Sequence, residues 1–284
     1  MRDMRQTLRT AFDRVLRLEN RRVAVRPGRL EKIYGFESQI LGNSRDITIY
    51  LPAGYDERPD RRYPVLYLGD GQNLFEPERA FIPGQHWRVR EAADEAIGSR
   101  TAEPMIIVGI DNAGAQRIDE YTPTRDAARN AGGRAEDYAK FLIEELKPRI
   151  DAAYRTNPGR SAIGGSSLGG LVSLYLAMHH RDVFPRAAVM SPSVWWNGRS
   201  ILGDVENFPP AEDSRLWLDI GGREGREALT DARELRDRLQ GIGWTNEHFK
   251  FFEDRRADHS ERAWATRMRQ VLEWLFPPVP PSAS

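Results

Sequence analysis

The sequence predicts an α/β fold, a mostly parallel eight-stranded sheet with helices on both faces, and three observations carry that expectation. From residue 63 to residue 276, apolar runs of strand length alternate with segments of helical periodicity, an order that joins parallel strands through crossover helices. Two alternating strands precede that stretch around a Gly-Asn turn, so the sheet opens antiparallel. The 284 residues fit one large domain with a single sizeable core.

Taken in order, residues 30–41 and 45–52 (RDITIYLP) pair across Gly42-Asn43. A strand follows at 63–69 (YPVLYLG), a helix around 88–98, a strand at 104–110 (PMIIVGI) and a long helix at 134–154. Strand 160–164 (RSAIG), helix 168–180, strand 186–191 (RAAVMS) and strand 215–220 (RLWLDI) come next. Helix 229–240, strand 247–253 (EHFKFFE) and a closing helix at 260–276 complete the alternation. The domain so defined runs over 25–276. Ahead of it, residues 1–24 place Leu8, Ala11, Phe12, Val15 and Leu16 at helical spacing among arginines. This predicts an amphipathic helix that docks onto the domain or onto a second subunit of a homo-oligomer. Residues 277–284 are Pro-rich and predict a disordered tail.

Composition narrows the partners. Lys plus Arg equals Asp plus Glu at 42 each, so no field of one sign draws the protein to nucleic acid or to a membrane surface. A small partner that is not polyanionic fits better. The N-terminus has no apolar run of signal-peptide or membrane-span length, which predicts a cytoplasmic protein. Cysteine is absent, excluding disulfides, thiolate catalysis and Cys-based zinc sites, and serine becomes the candidate nucleophile.

Gly165-Ser166-Ser167-Leu168-Gly169 has the G-x-S-x-G pattern of a nucleophile elbow, in which small residues let a serine stand on a tight strand-to-helix turn. The flanks agree: a strand precedes, and Leu168, Leu171, Val172, Leu174 and Tyr175 open a helix whose free N–H groups face any oxyanion formed there. A serine hydroxyl needs a base. His179 and His180 end the elbow helix, His248 lies in a strand and His86 precedes the elbow in a loop. His259 follows the last strand, where the chain order Ser, acid, His places the base. For the acid, Asp219, Glu224, Asp254 and Asp258 all fall near strand ends. Asp219 would still be inside its strand and Asp258 reads as a turn or cap residue, whereas Glu224 lies in the loop layer shared with Ser167 and His259.

Two donors are needed for the oxyanion. One is the backbone N–H of Leu168. The other comes from Gly69-Asp70-Gly71-Gln72-Asn73, with Gln72 preferred and Gly71 second. No histidine or carboxylate cluster has metal-site spacing, so neither a metal nor another cofactor is expected. Asp111, Arg117, Tyr121, Trp195 and Trp196 fall on loops near strand ends and are the candidates for lining a substrate pocket, with plain core packing an equal alternative for the two tryptophans.

With these residues in view, the segments YPVLYLGDGQNLF, RIDEYTP, FLIEELKPRID, AIGGSSLGGL, SPSVWW, LDIGGREG and DHSERAW resemble the esterase family of α/β-hydrolases. That family includes enterochelin, feruloyl and acetyl-xylan esterases, esterase D and the mycolyltransferases. The likeness runs from about residue 38 to 276 and implies an α/β-hydrolase fold with Ser167, Glu224 and His259 as the catalytic set. Gly69 stands where the family often has histidine or leucine, and some siderophore-cleaving members work with a Ser-His pair alone. The expected activity is hydrolysis of a small carboxylic ester, short-chain or aromatic in its acyl part, through an acyl-enzyme. Acyl transfer with the same residues and a non-catalytic binding protein of the same fold are the alternatives.

Overall fold

The computed structural model describes residues 27–278; the expected helix over 1–24 and most of the Pro-rich tail lie outside the described residues. Eight strands form one sheet: β1 (Arg29–Ser38), β2 (Asn43–Leu51), β3 (Tyr63–Gly69), β4 (Ile106–Ile110), β5 (Thr156–Ser166), β6 (Arg186–Met190), β7 (Arg215–Gly221) and β8 (Phe249–Asp254). Their spatial order is β1-β2-β4-β3-β5-β6-β7-β8. β1 and β2 pair antiparallel, β2 runs antiparallel to β4, and every later neighbour is parallel. This is the expected α/β-hydrolase sheet.

The turn between β1 and β2 differs from the expected two-residue connection. β1 stops at Ser38 and residues 39–42 form the loop, closed by Gly42 in the left-handed region (φ 69°) and its N–H on the Ser38 carbonyl. Leu41, expected in the strand, instead tucks its side chain into the core from the loop.

Side chains of the central strands alternate between two cores, as the two-residue period of a pleated strand requires. Val65 and Tyr67 of β3 face one core and Leu66 and Leu68 the other. Over the first face lie α2 (135–153), α3 (Leu168–His179) and α4 (Arg226–Gly241); over the second lie α1 (Val89–Gly98) and α5 (Glu261–Leu275). α2 is the long helix expected at 134–154, built as Ala135–Lys140, a π-helical stretch Phe141–Leu146 and Lys147–Ala153. A two-residue ribbon, Arg125–Asp126 with Ala131–Gly132, and short turns around Trp196–Arg199 and Ile201–Asp204 had no sequence counterpart. They are too short to show a period.

Two buried ion pairs tie helical segments to this frame. Arg45 on β2 holds Glu120 through two 2.9 Å hydrogen bonds, with neither side chain above 1 % exposed. That anchors the helical turn Arg117–Glu120 against the sheet. Arg267 on α5 meets Asp219 on β7 at 3.1 Å, equally buried. Pairs of this kind repay their desolvation only when complete, so they fix geometry more than they add stability.

Candidate active site

The sheet delivers the site at the carboxyl ends of five adjacent strands, where ligands of open α/β sheets bind. Asp70–Asn73 follows β3, Ser167 follows β5, Ser191 follows β6, Glu224 lies just past β7 and His259 past β8.

Ser167 stands on the turn between β5 and α3 with φ 57° and ψ −122°, a sparsely populated conformation that costs an ordinary residue about 1–3 kcal/mol. Each of the dozens of core side chains contributes about 1.5–3 kcal/mol by burial, so the fold can hold this strain. Close packing explains the glycines. A Cβ on Gly165 would come within 2.8 Å of the Gly169 backbone, and one on Gly170 within 2.8 Å of the Met190 carbonyl. At Gly169 itself a Cβ would meet only ordinary contacts, the nearest at 3.5 Å. The steric demand therefore falls on the first glycine of the pattern and on the residue after its second. The Ser167 N–H is held by the Met190 carbonyl at 3.0 Å, and its hydroxyl lies 3.2 Å from that of Ser193. A direct Ser167–His259 hydrogen bond is not formed in this arrangement, although both side chains face the same clefts.

His259 presents Nδ1 to Glu224 Oε2 at 2.7 Å. An ionised carboxylate only accepts, so Nδ1 carries the proton and Nε2 is left free as a base. Glu224 is 1 % exposed at its side chain while His259 is 46 % exposed. The other carboxylate oxygen, Oε1, accepts from the Gly221 N–H at 2.7 Å and the Ser191 hydroxyl at 2.6 Å. Burial alone would push the Glu224 carboxyl up; the donors, His259 first and Ser191 next, outweigh it and hold the group below the ordinary glutamate range.

The competing carboxylates are engaged elsewhere. Asp219 lies at the back of the site, bound to Arg267, to the Trp217 indole and to the Ser191 N–H; complete burial, only partly offset by those partners, pushes it up to about 6. Asp254 accepts the Arg256 N–H, and Asp258 accepts the Ser260 hydroxyl. The other histidines are also placed apart: His86 lines a separate groove beside α1, His179 packs on Tyr175, His180 meets Glu136 and His248 meets the Ser214 carbonyl.

Leu168 opens α3, so its N–H belongs to the first turn, where no helical carbonyl is available. Gln72 is the middle residue of a 3₁₀ turn, Gly71–Asn73, entered through Asp70 at φ 56°. It lines a cleft with Ser167, whereas Gly71 packs its Cα onto the backbone of Ile110. That loop is clamped: Arg117 reaches both Asp70 carboxylate oxygens at 2.7 Å, Asn112 Nδ2 donates to Asp70 at 2.6 Å, and the Asp70 N–H donates to the Tyr121 hydroxyl at 3.1 Å.

Of the five residues expected to line a substrate pocket, the structure brings Arg117 and Trp195 to the clefts. The other three need correction. Tyr121 is fully buried under the Asp70 loop. Trp196 is buried and gives its indole N–H to the Thr124 carbonyl at 2.8 Å. Asp111 turns to Arg79 and is pushed up to about 6, chiefly by burial. They support the wall rather than form it.

Two clefts meet at Ser167 and His259. One, of about 640 Å³, is bounded by Ser193, Trp195, Arg226 and Glu227; the other, of about 560 Å³, by Gln72, Arg79, Phe81, Asn112 and Arg117. A reacting bond at Ser167 would thus have room on both sides. Ser193, Arg226, Arg79, Phe81 and Asn112 were not singled out from the sequence, where only their closeness to motif segments marks them. Among the described residues no group of three or more His, Asp or Glu side chains is arranged to hold a metal ion, and no helix is long and apolar enough to cross a membrane.

Comparison with known proteins places the chain in a family. Residues 38–275 match the family model Esterase, described as "Putative esterase". The chain is 31 % identical over 211 residues to the ferri-bacillibactin esterase of Bacillus subtilis, covering 69 % of this chain and 73 % of the relative. It is 29 % identical over 220 residues to the iron(III) salmochelin esterase of Escherichia coli, covering 72 % of this chain and 48 % of that protein. The solved BES protein from Bacillus cereus superposes with a TM-score of 0.71 at 24 % identity, over 90 % of this chain and 97 % of that one.

Proposed function

Because the chain belongs to the Esterase family and is a serine carboxylic ester hydrolase, we propose that Ser167 is its nucleophile, His259 its general base and Glu224 the acid that orients His259. The observation that carries this reading is the 2.7 Å contact of His259 Nδ1 with Glu224 Oε2 beside an elbow serine at φ 57°. As Ser167 turns from Ser193 toward His259, Nε2 takes its proton and Oγ attacks the acyl carbon. The Leu168 and Gln72 N–H groups receive the developing oxyanion. His259 returns the proton to the leaving alcohol, leaving an acyl-serine, and water repeats the sequence to release the acid.

Each cleft takes one side of the ester. Trp195, 45 % exposed with the Arg129 guanidinium 4.9 Å from its ring centre, offers an aromatic face to a planar acyl or alcohol group. Two of the relatives are named as esterases of ferri-bacillibactin and of iron(III) salmochelin. Comparing kcat/KM for acetyl, butyryl and feruloyl esters, a formyl thioester and a ferric catechol siderophore tests the substrate class. A soluble short-chain or aromatic ester turned over fastest supports the reading; an emulsified long-chain triglyceride preferred over all of them opposes it.

Glu224→Gln keeps the shape of the side chain but lets an amide present N–H to the imidazole and favour the wrong tautomer. kcat is expected to fall by about 10⁴-fold, with an unchanged circular-dichroism spectrum. Asp219→Asn and Asp258→Asn should cost less in kcat, since neither carboxylate hydrogen-bonds the His259 imidazole.

The pH profile follows from the sign of the Glu224 shift. A carboxyl held below its ordinary range stays ionised until the pH falls through that lowered value. On the acid side, log(kcat/KM) should therefore rise with unit slope, as a single group other than Glu224 gives up its proton. A slope of two in that limb would mean that Glu224 titrates alongside it.

A further inference from the structure

Ser191 is buried, at 1 % exposure, directly behind Glu224, and its hydroxyl oxygen has three partners. Trp264 Nε1 lies at 3.1 Å, Arg267 Nη2 at 3.1 Å and Glu224 Oε1 at 2.6 Å. An indole N–H and a guanidinium N–H can only donate, and a hydroxyl has two lone pairs and one proton. With both lone pairs taken, the proton has one direction left, toward Glu224. The carboxylate is fixed in turn: Ser191 and the Gly221 N–H share Oε1, so Oε2 alone remains for His259.

The surroundings are built for this orientation. Trp264 packs its ring edge-on to the His259 imidazole at 5.0 Å while its N–H serves Ser191, so one residue sets both ends of the Glu224–His259 contact. Arg267 is itself held by Asp219, which also accepts the Ser191 N–H. Moreover, Ser191 adopts φ 42°, left-handed backbone that suits glycine better than serine. A residue chosen for its backbone there would be glycine; the hydroxyl gives the reason for serine.

We propose that Ser191 is a positioning residue of the esterase reaction, its hydroxyl turned by Trp264 and Arg267 to lock the Glu224 carboxylate against His259. This rests on the reading of Ser167, His259 and Glu224 given above. It adds a group that never meets the substrate's reacting atoms.

The test is a double-mutant cycle on the full chain. Ser191→Ala is expected to lower kcat on the order of 10–100-fold, the size typical of removing an outer hydrogen-bond partner, with KM nearly unchanged. In a Glu224→Gln background the same substitution should cost less than about threefold, because the carboxylate that it orients is already gone. Ser191→Gly, which suits the left-handed backbone, guards against misfolding of the alanine variant and should show the same pattern. Equal losses in both backgrounds, or wild-type kcat in a folded Ser191→Ala or Ser191→Gly, would overturn the proposal. If Glu224→Gln alone leaves kcat intact, the acid assignment fails; a loss at Ser191 that then persists in that background also overturns the route through Glu224.

Discussion

Ser167→Ala is expected to lower kcat on the order of 10⁶-fold with the fold intact. Removing the nucleophile of such a set leaves only the catalysis supplied by binding and oxyanion donors, about 10³–10⁴-fold over water. The substitution deletes one hydroxyl whose hydrogen-bond partner here is Ser193, and alanine keeps a Cβ at a position already accommodating one. Thermal midpoints of the two proteins should agree within a few degrees, while initial rates on a soluble ester separate them. Turnover near the wild-type rate by the alanine variant would remove Ser167 from the mechanism.

The second large effect belongs to His259→Ala, again on the order of 10⁶-fold in kcat. In the proposed mechanism the imidazole takes the Ser167 proton and returns it to the alcohol. It is 46 % exposed at the side chain, so its loss should disturb the core little. If Ser167 and His259 act as one unit, as proposed, the double variant should be scarcely worse than either single one. Losses that multiply would mean that the two side chains contribute to separate steps, and that some other group is the base.

How far the sequence could be read depended on whether a side chain's place is set by its own segment or by distant ones. The elbow is local. Gly165, Ser167 and the apolar periodicity from Leu168 onward specify strand, turn and helix within a dozen residues. The positions of Glu224 and His259 follow from the parallel order, since every strand in this half of the sheet ends at the same edge. Ser191 and Ser193 were visible only as part of SPSVWW. Their contacts to Glu224 and Ser167 cross 33 and 26 residues of sequence, and no periodicity reports such a pairing. Trp195 and Trp196 show a related gap. Adjacent side chains point different ways, and here one reaches the cleft while the other is buried; composition treats the two alike. Tyr121 and Arg117 were expected to meet substrate. Arg117 does line a cleft, yet both are committed to Asp70, so polar residues near a motif can serve the loop that carries it.

The most direct measurement of the central claim is covalent trapping. The protein is treated with a fluorophosphonate, digested, and the adduct located by mass spectrometry, with a parallel acid quench during turnover of a butyryl ester to capture the acyl-enzyme. The account predicts one phosphonyl group per chain on the peptide carrying Ser167, a butyryl group on the same residue, and neither in Ser167→Ala. Full esterase activity with no adduct at Ser167, or with the acyl group on another side chain, would contradict it.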